Sequence, residues 1–328
     1  MSRIYLNGRW LAPQDATVSI MDRGFLFGDG IYEVIPVYSR RPFRLEQHLV
    51  RLQRSLDAIG IANPHTPVQW SELVLRLVQE AEWSDQSIYI QVTRGPMAMR
   101  NHAFPKQATP TAVMFAEAMN TPSADLVRQG VAAVSAADIR WLRCDIKATS
   151  LLANCLLRQQ AVAAGCAETV LFRDGFLTEG AAASVFVVSQ GVLLAPIKNH
   201  LTLPGITYDV ILELAATHGL PHEVRDITEA EVRTADELWL ASSTREVLPI
   251  VLLDGVKVGA GEATALQGGR AKNAQLCRPG LSASQTGLLA VADGDTANAA
   301  GGPGPVFARM HGWYQEFKAT VMHGEGLS

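Results

Sequence analysis

The chain has 328 residues and a formal net charge of -4, with 48% hydrophobic against 18% charged residues. This balance is typical of a globular protein with room for two domains, and it argues against nucleic acid or an anionic membrane surface as the partner. No apolar segment of the sequence is long enough to be an export signal or to cross a bilayer, so we expect a cytoplasmic protein without membrane contact. The four cysteines and eight histidines show no metal-ligand spacing, and no metal site is expected.

The first third of the chain alternates strand-like and helix-like segments. Residues 4–10 predict a β-hairpin that turns at Asn7-Gly8, a dipeptide that favours tight hairpin turns. Apolar residues at intervals of three and four predict helices over His48–Ile59 and Trp70–Ala81. Runs of β-branched and aromatic residues predict further strands, at Ile31–Tyr38, Ile88–Thr93 and Ala112–Phe115.

A polar, proline-containing segment at residues 120–124 is the predicted linker to a second domain. Beyond it the same patterns predict strands at 131–135, 169–172, 184–188, 192–195 and 237–241, and helices at 150–164 and 207–217. Helices mixed with mainly hairpin-connected strands predict an α+β (mixed α/β) fold of two domains, residues 1–119 and 125–328. A segment rich in glycine, alanine and serine, at about 259–301, is expected to be a mobile surface insertion.

Two residues of the second half are candidates for covalent and acid–base chemistry. Lys147 ends an apolar, half-buried segment, where loss of hydration lowers the pKa of an amine and suits it to be a Schiff-base nucleophile. A solvated lysine fits the same spacing. Glu179 precedes Gly180 after a predicted hairpin, and its carboxylate could keep a ring nitrogen protonated or could simply be an acidic turn residue.

Other segments could bind anions. Residues 205–207 open a predicted helix whose first N–H groups are unpaired, and Ser242-Ser243-Thr244 adds hydroxyl groups from another loop, so together they could hold a phosphate. Plain helix capping explains the first of these equally well. Arg100 and His102 share a loop and could bind a carboxylate, although such a surface pair ordinarily has no function.

Five motifs, taken in order, resemble the class IV (fold type IV) pyridoxal-phosphate aminotransferases. They are Asp22-Arg23-Gly24 with Phe27-Gly28-Asp29-Gly30-Ile31-Tyr32-Glu33, the octet from Arg140 to Lys147, Thr178-Glu179-Gly180, Leu203-Pro204-Gly205-Ile206-Thr207, and Ser242-Ser243-Thr244-Arg245-Glu246. The resemblance extends from the N-terminal hairpin to about residue 255 and resumes at 302–306. Within the family, the octet that ends at Lys147 and the Arg100-Asn101-His102 pattern resemble the branch that acts on D-amino acids.

The resemblance implies pyridoxal 5'-phosphate bound between the two domains, with Lys147 as the catalytic residue that carries it as a Schiff base. Glu179 would hold the pyridine nitrogen, and Leu203 would pack against the ring. The cofactor phosphate would be bound by Arg51, by the backbone of Ile206 and Thr207, and by Ser243 and Thr244. The substrate would meet Tyr32 and Arg140 together with Arg100 and His102, the last two supplied by the neighbouring subunit of a homodimer.

The reaction implied by the resemblance moves the amino group of a D-amino acid, such as D-alanine, to 2-oxoglutarate or pyruvate. Three alternatives stay open: β-elimination of the aminodeoxychorismate-lyase type, transamination of (R)-amines or branched-chain substrates on the same fold, and a non-catalytic cofactor-binding protein. Ala181-Ala182-Ala183 stand where the D-amino acid branch is serine-rich, which leaves the fine specificity open.

Overall fold

The computed structural model describes residues 3–260 and 302–323. The predicted insertion at about 259–301 therefore lies almost wholly outside the described residues. The described residues fall into two compact units. Unit 1 contains residues 3–120, 146–151 and 318–323, and unit 2 contains residues 121–145, 152–260 and 302–317. The short segment that includes Lys147 thus clusters with unit 1, although the residues on either side of it belong to unit 2.

Unit 1 is built on a six-stranded antiparallel sheet. Its elements are β1 (Ile4–Leu6), β2 (Arg9–Leu11), α1 (Arg23–Phe27), β3 (Gly30–Tyr38), β4 (Arg41–Pro42), α2 (Leu45–Ala58), α3 (Pro67–Glu80), β5 (Gln86–Thr93) and β6 (Thr111–Ala118). The strand order is β2-β1-β6-β5-β3-β4. The hairpin predicted at Asn7-Gly8 is confirmed, since Leu6 pairs with Arg9. Strands β3 and β5 pair along their full length, from Gly30 opposite Thr93 to Val37 opposite Gln86.

The core of unit 1 lies between this sheet and helices α2 and α3. Leu52 and Leu56 of α2 and Leu77 of α3 are fully buried in one cluster with the sheet. The two predicted helices are confirmed, but each begins three residues earlier than its apolar pattern. For α3 the reason is local: Thr66 caps the helix by accepting a hydrogen bond from the N–H of Gln69, and the Gln69 side chain accepts from Thr66 in return.

Unit 1 also buries a cluster of charged side chains between β3 and α2. Nε and Nη2 of Arg51 each donate to a carboxylate oxygen of Glu33 at 2.7 Å. Nδ1 of His48 lies 2.9 Å from the same carboxylate, and both Glu33 and His48 are fully buried. Burial opposes ionisation of Glu33, but the charge and hydrogen bonds of Arg51, with the hydrogen bond to His48, outweigh it and hold the pKa of Glu33 well below its usual range.

Unit 2 is built on a nine-stranded mixed sheet. Its elements are α4 (Ala124–Gln129), β7 (Val131–Ala137), α5 (Leu152–Ala163), β8 (Glu168–Arg173), β9 (Phe176–Gly180), β10 (Ser184–Ser189), β11 (Val192–Ala195), α6 (Ile206–Thr217), β12 (His222–Val224), α7 (Glu229–Arg233), β13 (Glu237–Ser242), β14 (Glu246–Leu253), β15 (Val256–Lys257) and α8 (Pro305–His323), whose residues 318–323 cluster with unit 1. The order is β12-β11-β10-β13-β14-β7-β8-β9, with β15 paired to β14. Parallel pairs join β14 to β7, β7 to β8 and β11 to β12, and the other pairs are antiparallel.

The observed mixture of helices and sheets confirms the predicted α+β class. All the predicted strands and helices of unit 2 are present, and the strand β14 is one that the sequence analysis did not predict. No helix in the described ranges is long and apolar enough to span a membrane.

The start of α8 is fixed by a buried carboxylate from β13. Glu237 is 6% exposed, and its two carboxylate oxygens accept hydrogen bonds from the backbone N–H of Val306 at 2.9 Å and of Phe307 at 2.7 Å. The first N–H groups of a helix lack intrahelical partners and carry the positive end of its dipole, so a carboxylate stabilises this end. Gly304 permits the approach, because a Cβ on it would collide with the Glu237 carboxylate.

Replacing Glu237 by glutamine should destabilise the protein. The Glu237→Gln variant keeps the shape but removes the charge and turns one acceptor into a donor facing an N–H group. We expect a loss of about 1–3 kcal/mol in the free energy of unfolding. Thermal and urea denaturation measure it, with Glu223→Gln as the control, since Glu223 is exposed and forms a surface ion pair with Arg225. Equal midpoints for the two variants would contradict the capping role.

Replacing Glu33 by glutamine should change both the stability and its dependence on pH. Removing the carboxylate breaks the buried ion pair with Arg51, and we expect a cost of about 3–5 kcal/mol at pH 7. The pKa of Glu33 lies below its unfolded value of about 4.3, so the pair stabilises the fold above that pH and loses its effect as the pH falls towards the lowered pKa.

The thermal midpoint of Glu33→Gln should therefore decline less than that of the wild type between pH 7 and pH 3. The control is Glu80→Gln, because Glu80 forms a surface ion pair with Arg76. If the thermal midpoint of Glu33→Gln fell between pH 7 and pH 3 by as much as that of the wild type, this account of the cluster would be ruled out.

Candidate active site

Backbone pairing with strand β3 determines where Lys147 lies. The N–H of Tyr32 donates to the carbonyl of Lys147 at 2.9 Å, and the N–H of Thr149 donates to the carbonyl of Gly30 at 2.9 Å. The bridge between Ile31 and Ala148 completes this antiparallel contact. The lysine is therefore held by main-chain bonds at the beginning of the strand that contributes Tyr32.

The amine of Lys147 lies over an aromatic ring. Its Nζ is 4.1 Å from the centre of the Tyr32 ring, and the side chain is half-buried. Among the described residues of unit 1, no acidic side chain forms an ion pair with this amine. An amine that is partly desolvated and not bound to a carboxylate is a suitable nucleophile for a carbonyl group.

Arg51, expected to bind a phosphate, is a member of the buried cluster with Glu33. Two of its nitrogens donate to that carboxylate, and its side chain is 7% exposed. Burial lowers the pKa of His48, and together with the charges of Arg51 and Lys147 it outweighs Glu33, so this histidine is neutral near pH 7. Glu33 and His48 were not among the sequence candidates. The signal available for Glu33 was its place one residue after Tyr32 in the recognised motif.

Arg100 and His102 lie in the exposed loop between β5 and β6. The Cζ of Arg100 is 5.1 Å from the centre of the Phe27 ring, and the His102 ring centre is 5.2 Å from the same ring. Phe27 therefore holds the two side chains near one another. Among the described residues, no hydrogen bond or ring contact joins either of them to Tyr32 within one chain, so their predicted meeting at a substrate carboxylate stays a prediction.

In unit 2, Arg140 and Glu179 form a buried ion pair. Nη1 of Arg140 donates to the Glu179 carboxylate, and its Nε and Nη2 donate to the two oxygens of Asp138 at 2.9 and 2.8 Å. The other Glu179 oxygen accepts the backbone N–H of Leu203 at 3.1 Å. Three predicted residues, Arg140, Glu179 and Leu203, are thus brought together. Asp138, which orients Arg140, was missed by the sequence analysis.

The surroundings of Glu179 raise its pKa. Burial is the main cause, and the charge of Asp138 adds to it, while the charge and hydrogen bond of Arg140 and the N–H of Leu203 offset the rise only in part. For Asp138, the hydrogen bonds and charge of Arg140 outweigh burial and lower the pKa. A buried carboxylate with raised proton affinity is suited to hold the N–H of a pyridine ring in its protonated form.

The predicted phosphate-binding segments lie at one end of the unit 2 sheet. Helix α6 begins at Ile206, and its N-cap, Gly205, has no side chain to accept hydrogen bonds from the first N–H groups. Ser184 at the start of β10 pairs with Ala241 near the end of β13. A Cβ on Gly205 would lie 3.0 Å from the Oγ of Ser184, so the start of α6 lies beside these strand ends.

Ser243 and Thr244 form the turn that follows β13. Ser243 is half-buried and Thr244 is exposed, whereas Thr207 in the first turn of α6 is buried. Arg245 anchors this turn: its N–H donates to the hydroxyl of Ser242, and its Nη1 donates to the buried Glu168 at 2.9 Å. A helix N-terminus and a hydroxyl-bearing turn at one sheet end are a suitable set of donors for a phosphate.

No group of three or more His, Cys, Asp or Glu side chains in the described ranges could hold a metal ion. Unit 1 offers instead the amine of Lys147, and unit 2 offers a buried carboxylate and phosphate-type donors. These are the kinds of group that bind an organic phosphate cofactor with a reactive carbonyl.

Comparisons with known proteins give the relatives of this chain. The model of the family "Amino-transferase class IV" matches residues 30–253. A D-alanine aminotransferase of Staphylococcus epidermidis is 39% identical over 263 residues, which cover 80% of this chain and 93% of that protein. The D-alanine aminotransferase of Bacillus licheniformis is 37% identical over 259 residues, 79% of this chain and 91% of that protein.

Among solved structures, a branched-chain amino acid aminotransferase from the organism abbreviated T.th., in complex with pyridoxamine 5'-phosphate, has the same fold. Its TM-score is 0.79 at 22% sequence identity, and the match covers 98% of this chain and 94% of that chain. The family match extends over most of the chain and includes Lys147, Glu179 and both phosphate-type segments. The chain therefore belongs to the class IV aminotransferase family.

Proposed function

We propose that this protein is a pyridoxal-5'-phosphate-dependent aminotransferase that moves the amino group of a D-amino acid, such as D-alanine, to a 2-oxo acid. The observation that carries the proposal is the half-buried amine of Lys147, which lies over the Tyr32 ring and forms no ion pair with an acidic side chain among the described residues of unit 1. The sequence relatives named D-alanine aminotransferase support the choice of substrate. The bound cofactor supplies an electron sink that stabilises negative charge at the substrate α-carbon.

Lys147 is assigned two tasks. Its amine would hold the cofactor at the carbonyl carbon. When free, the amine would take a proton from the α-carbon of the substrate and deliver it to the carbon that carried the cofactor's carbonyl group. Backbone pairing to β3 fixes the position from which the amine acts. A base with a fixed position reaches the α-hydrogen of only one enantiomer when the substrate carboxylate is also fixed.

The other predicted residues are assigned to binding. Glu179 is oriented by Arg140 and by the N–H of Leu203, and its carboxylate would hold the protonated ring nitrogen. Leu203 would pack against the ring. The phosphate is bound by Arg51, Ile206, Thr207, Ser243 and Thr244. The substrate carboxylate is bound by Arg100 and His102 with Tyr32, and Arg140 lies on the substrate side.

Assembly and location belong to the same proposal. The carboxylate site needs Arg100 and His102 near a Tyr32, and within one chain no contact joins them among the described residues, which supports a homodimer whose partner supplies the pair. A cytoplasmic location is proposed together with this assembly, as is the absence of nucleic-acid and membrane partners.

The half-reaction tests the function and its handedness. The cofactor-loaded protein, mixed with D-alanine but no 2-oxo acid, should lose the absorbance of its lysine-bound cofactor and release one pyruvate per site, whereas L-alanine should leave both unchanged. Lys147→Ala should slow the reaction by at least about 100-fold, because it removes the proton-transferring base. Lys257→Ala, at an exposed lysine of β15, is the matched control.

The alternatives have distinct outcomes in that experiment. Reaction with L-alanine alone would assign the protein to L-substrates. Pyruvate released from aminodeoxychorismate without any 2-oxo acid would establish β-elimination. A purified protein that acquires no lysine-linked absorbance from added pyridoxal 5'-phosphate would refute catalysis through Lys147.

Arg100 should determine the affinity for the substrate carboxylate. Removing a charged hydrogen bond costs about 1.5–3 kcal/mol, so Arg100→Ala should raise the KM for D-alanine by about 10- to 100-fold. The control is Arg128→Ala, because Arg128 is exposed and forms a surface ion pair with Asp125. Steady-state kinetics with pyruvate formation as the readout measure both variants. An unchanged KM in Arg100→Ala would remove this residue from the substrate site.

A further inference from the structure

The loop of residues 97–104, which bears Arg100 and His102, is held by a side chain that the reaction does not use. Arg23, the first residue of α1, is 3% exposed. Its Nη1 donates to the carbonyl of Asn101 at 2.6 Å and approaches that of Ala103 at 3.3 Å, and its Nη2 donates to the carbonyl of His102 at 3.1 Å. One guanidinium group therefore binds three consecutive carbonyl groups of the 97–104 loop.

Asp29 fixes the orientation of that guanidinium group. Its carboxylate accepts from Nε of Arg23 at 2.6 Å and from Nε and Nη2 of Arg94 at 2.8 and 3.0 Å. Burial opposes ionisation of Asp29, but the hydrogen bonds and charges of Arg94 and Arg23 outweigh it and lower its pKa. The carboxylate stays charged at neutral pH and keeps both arginines in place.

Arg94 ties this chain of contacts to helix α2. Its Nη2 donates to the carbonyl of Ile59 at 2.7 Å and its Nη1 to that of Gly60 at 2.9 Å, at the residues that follow the helix. Its Cζ lies 3.5 Å from the centre of the Phe104 ring, at the other end of the 97–104 loop. The loop is exposed, yet it is bound through Arg23, Asp29 and Arg94 to the core of unit 1.

We propose that Arg23, oriented by Asp29 and Arg94, is the positioning residue that holds Arg100 and His102 where a substrate carboxylate binds. The inference rests on the proposed function, because it concerns the same carboxylate site. Arg23 acts through the loop backbone and has no contact with substrate. Its planar fork is needed for the task, since a lysine ammonium in its place is a point charge that cannot keep the geometry of several carbonyl bonds and the Asp29 bond together.

The holoenzyme variant Arg23→Lys tests this role by separating binding from chemistry. A small misplacement of a positioning group can cost about 100-fold, so we expect the KM for D-alanine to rise by about 10- to 100-fold. The inhibition constant of propionate, a carboxylate without an amino group, should rise by a similar factor. The kcat at saturating D-alanine should change by less than about threefold, because the base and cofactor sites are intact.

The matched control is Arg40→Lys, which should leave all three constants unchanged. Arg40 also donates to a backbone carbonyl, that of Val78 at 3.0 Å, but its partner lies outside the 97–104 loop. In an Arg100→Ala background, Arg23→Lys should raise the KM for D-alanine by less than about a further twofold, since the effects of residues that act through one another are not additive.

If Arg23→Lys fails to fold or to bind cofactor, Asp29→Asn, which preserves shape, is expected to give the same pattern more weakly.

Three outcomes would overturn the inference. They are an unchanged KM in a folded Arg23→Lys protein, a loss confined to kcat, and a KM increase in the double variant with Arg100→Ala that equals the product of the two single-variant increases. Wild-type turnover of D-alanine that depends on Arg100 would still leave the proposed function standing in each of these cases. Absence of any D-alanine reaction in the wild type would instead refute the proposed function, and the inference with it.

Discussion

The catalytic geometry proposed for this protein depends on a few main-chain hydrogen bonds between the Lys147 segment and the beginning of β3. Those bonds place the lysine beside Tyr32, and the next residue along the strand, Glu33, anchors Arg51 of α2. One strand therefore connects a nucleophile, an aromatic neighbour and a buried ion cluster. Because backbone pairing has a fixed register, a slip of one residue would turn Tyr32 away from the amine and Glu33 out of the cluster.

Within each unit, charged side chains fix the local structure at the places where the proposed chemistry needs rigidity. In unit 1 they are the Glu33 cluster and the arginine pair bridged by Asp29; in unit 2 they are Arg140 with Asp138 and Glu179. Asp29 is half-buried and the other carboxylates have buried side chains; each pairs with at least one guanidinium group, which satisfies several acceptors at once. Such pairs add little net stability compared with apolar packing, but they are costly to break, and so they limit each group to one arrangement.

Much of the fold follows from local patterns, whereas the connections within the site do not. The apolar spacing of α2 and α3 and the Asn7-Gly8 turn were sufficient to predict those elements. Strand β14 was missed because its apolar run contains Pro249, which argues against a strand in the middle of a sheet. Lys147 and Glu179 were found through motifs. Asp138 and the role of Arg23 were not, because hydrogen bonds between residues distant in sequence leave no periodic signal.

The hold of Arg23 on the 97–104 loop has a consequence for how such a protein can diverge. The three bonds end on carbonyl oxygens, which every amino acid supplies, so they place no demand on the side chains that they secure. Met99, for example, is 81% exposed in the loop. Substitutions at such positions change the surface that the loop offers to a ligand while its backbone stays in place, so that selection can alter substrate preference separately from the architecture that supports it.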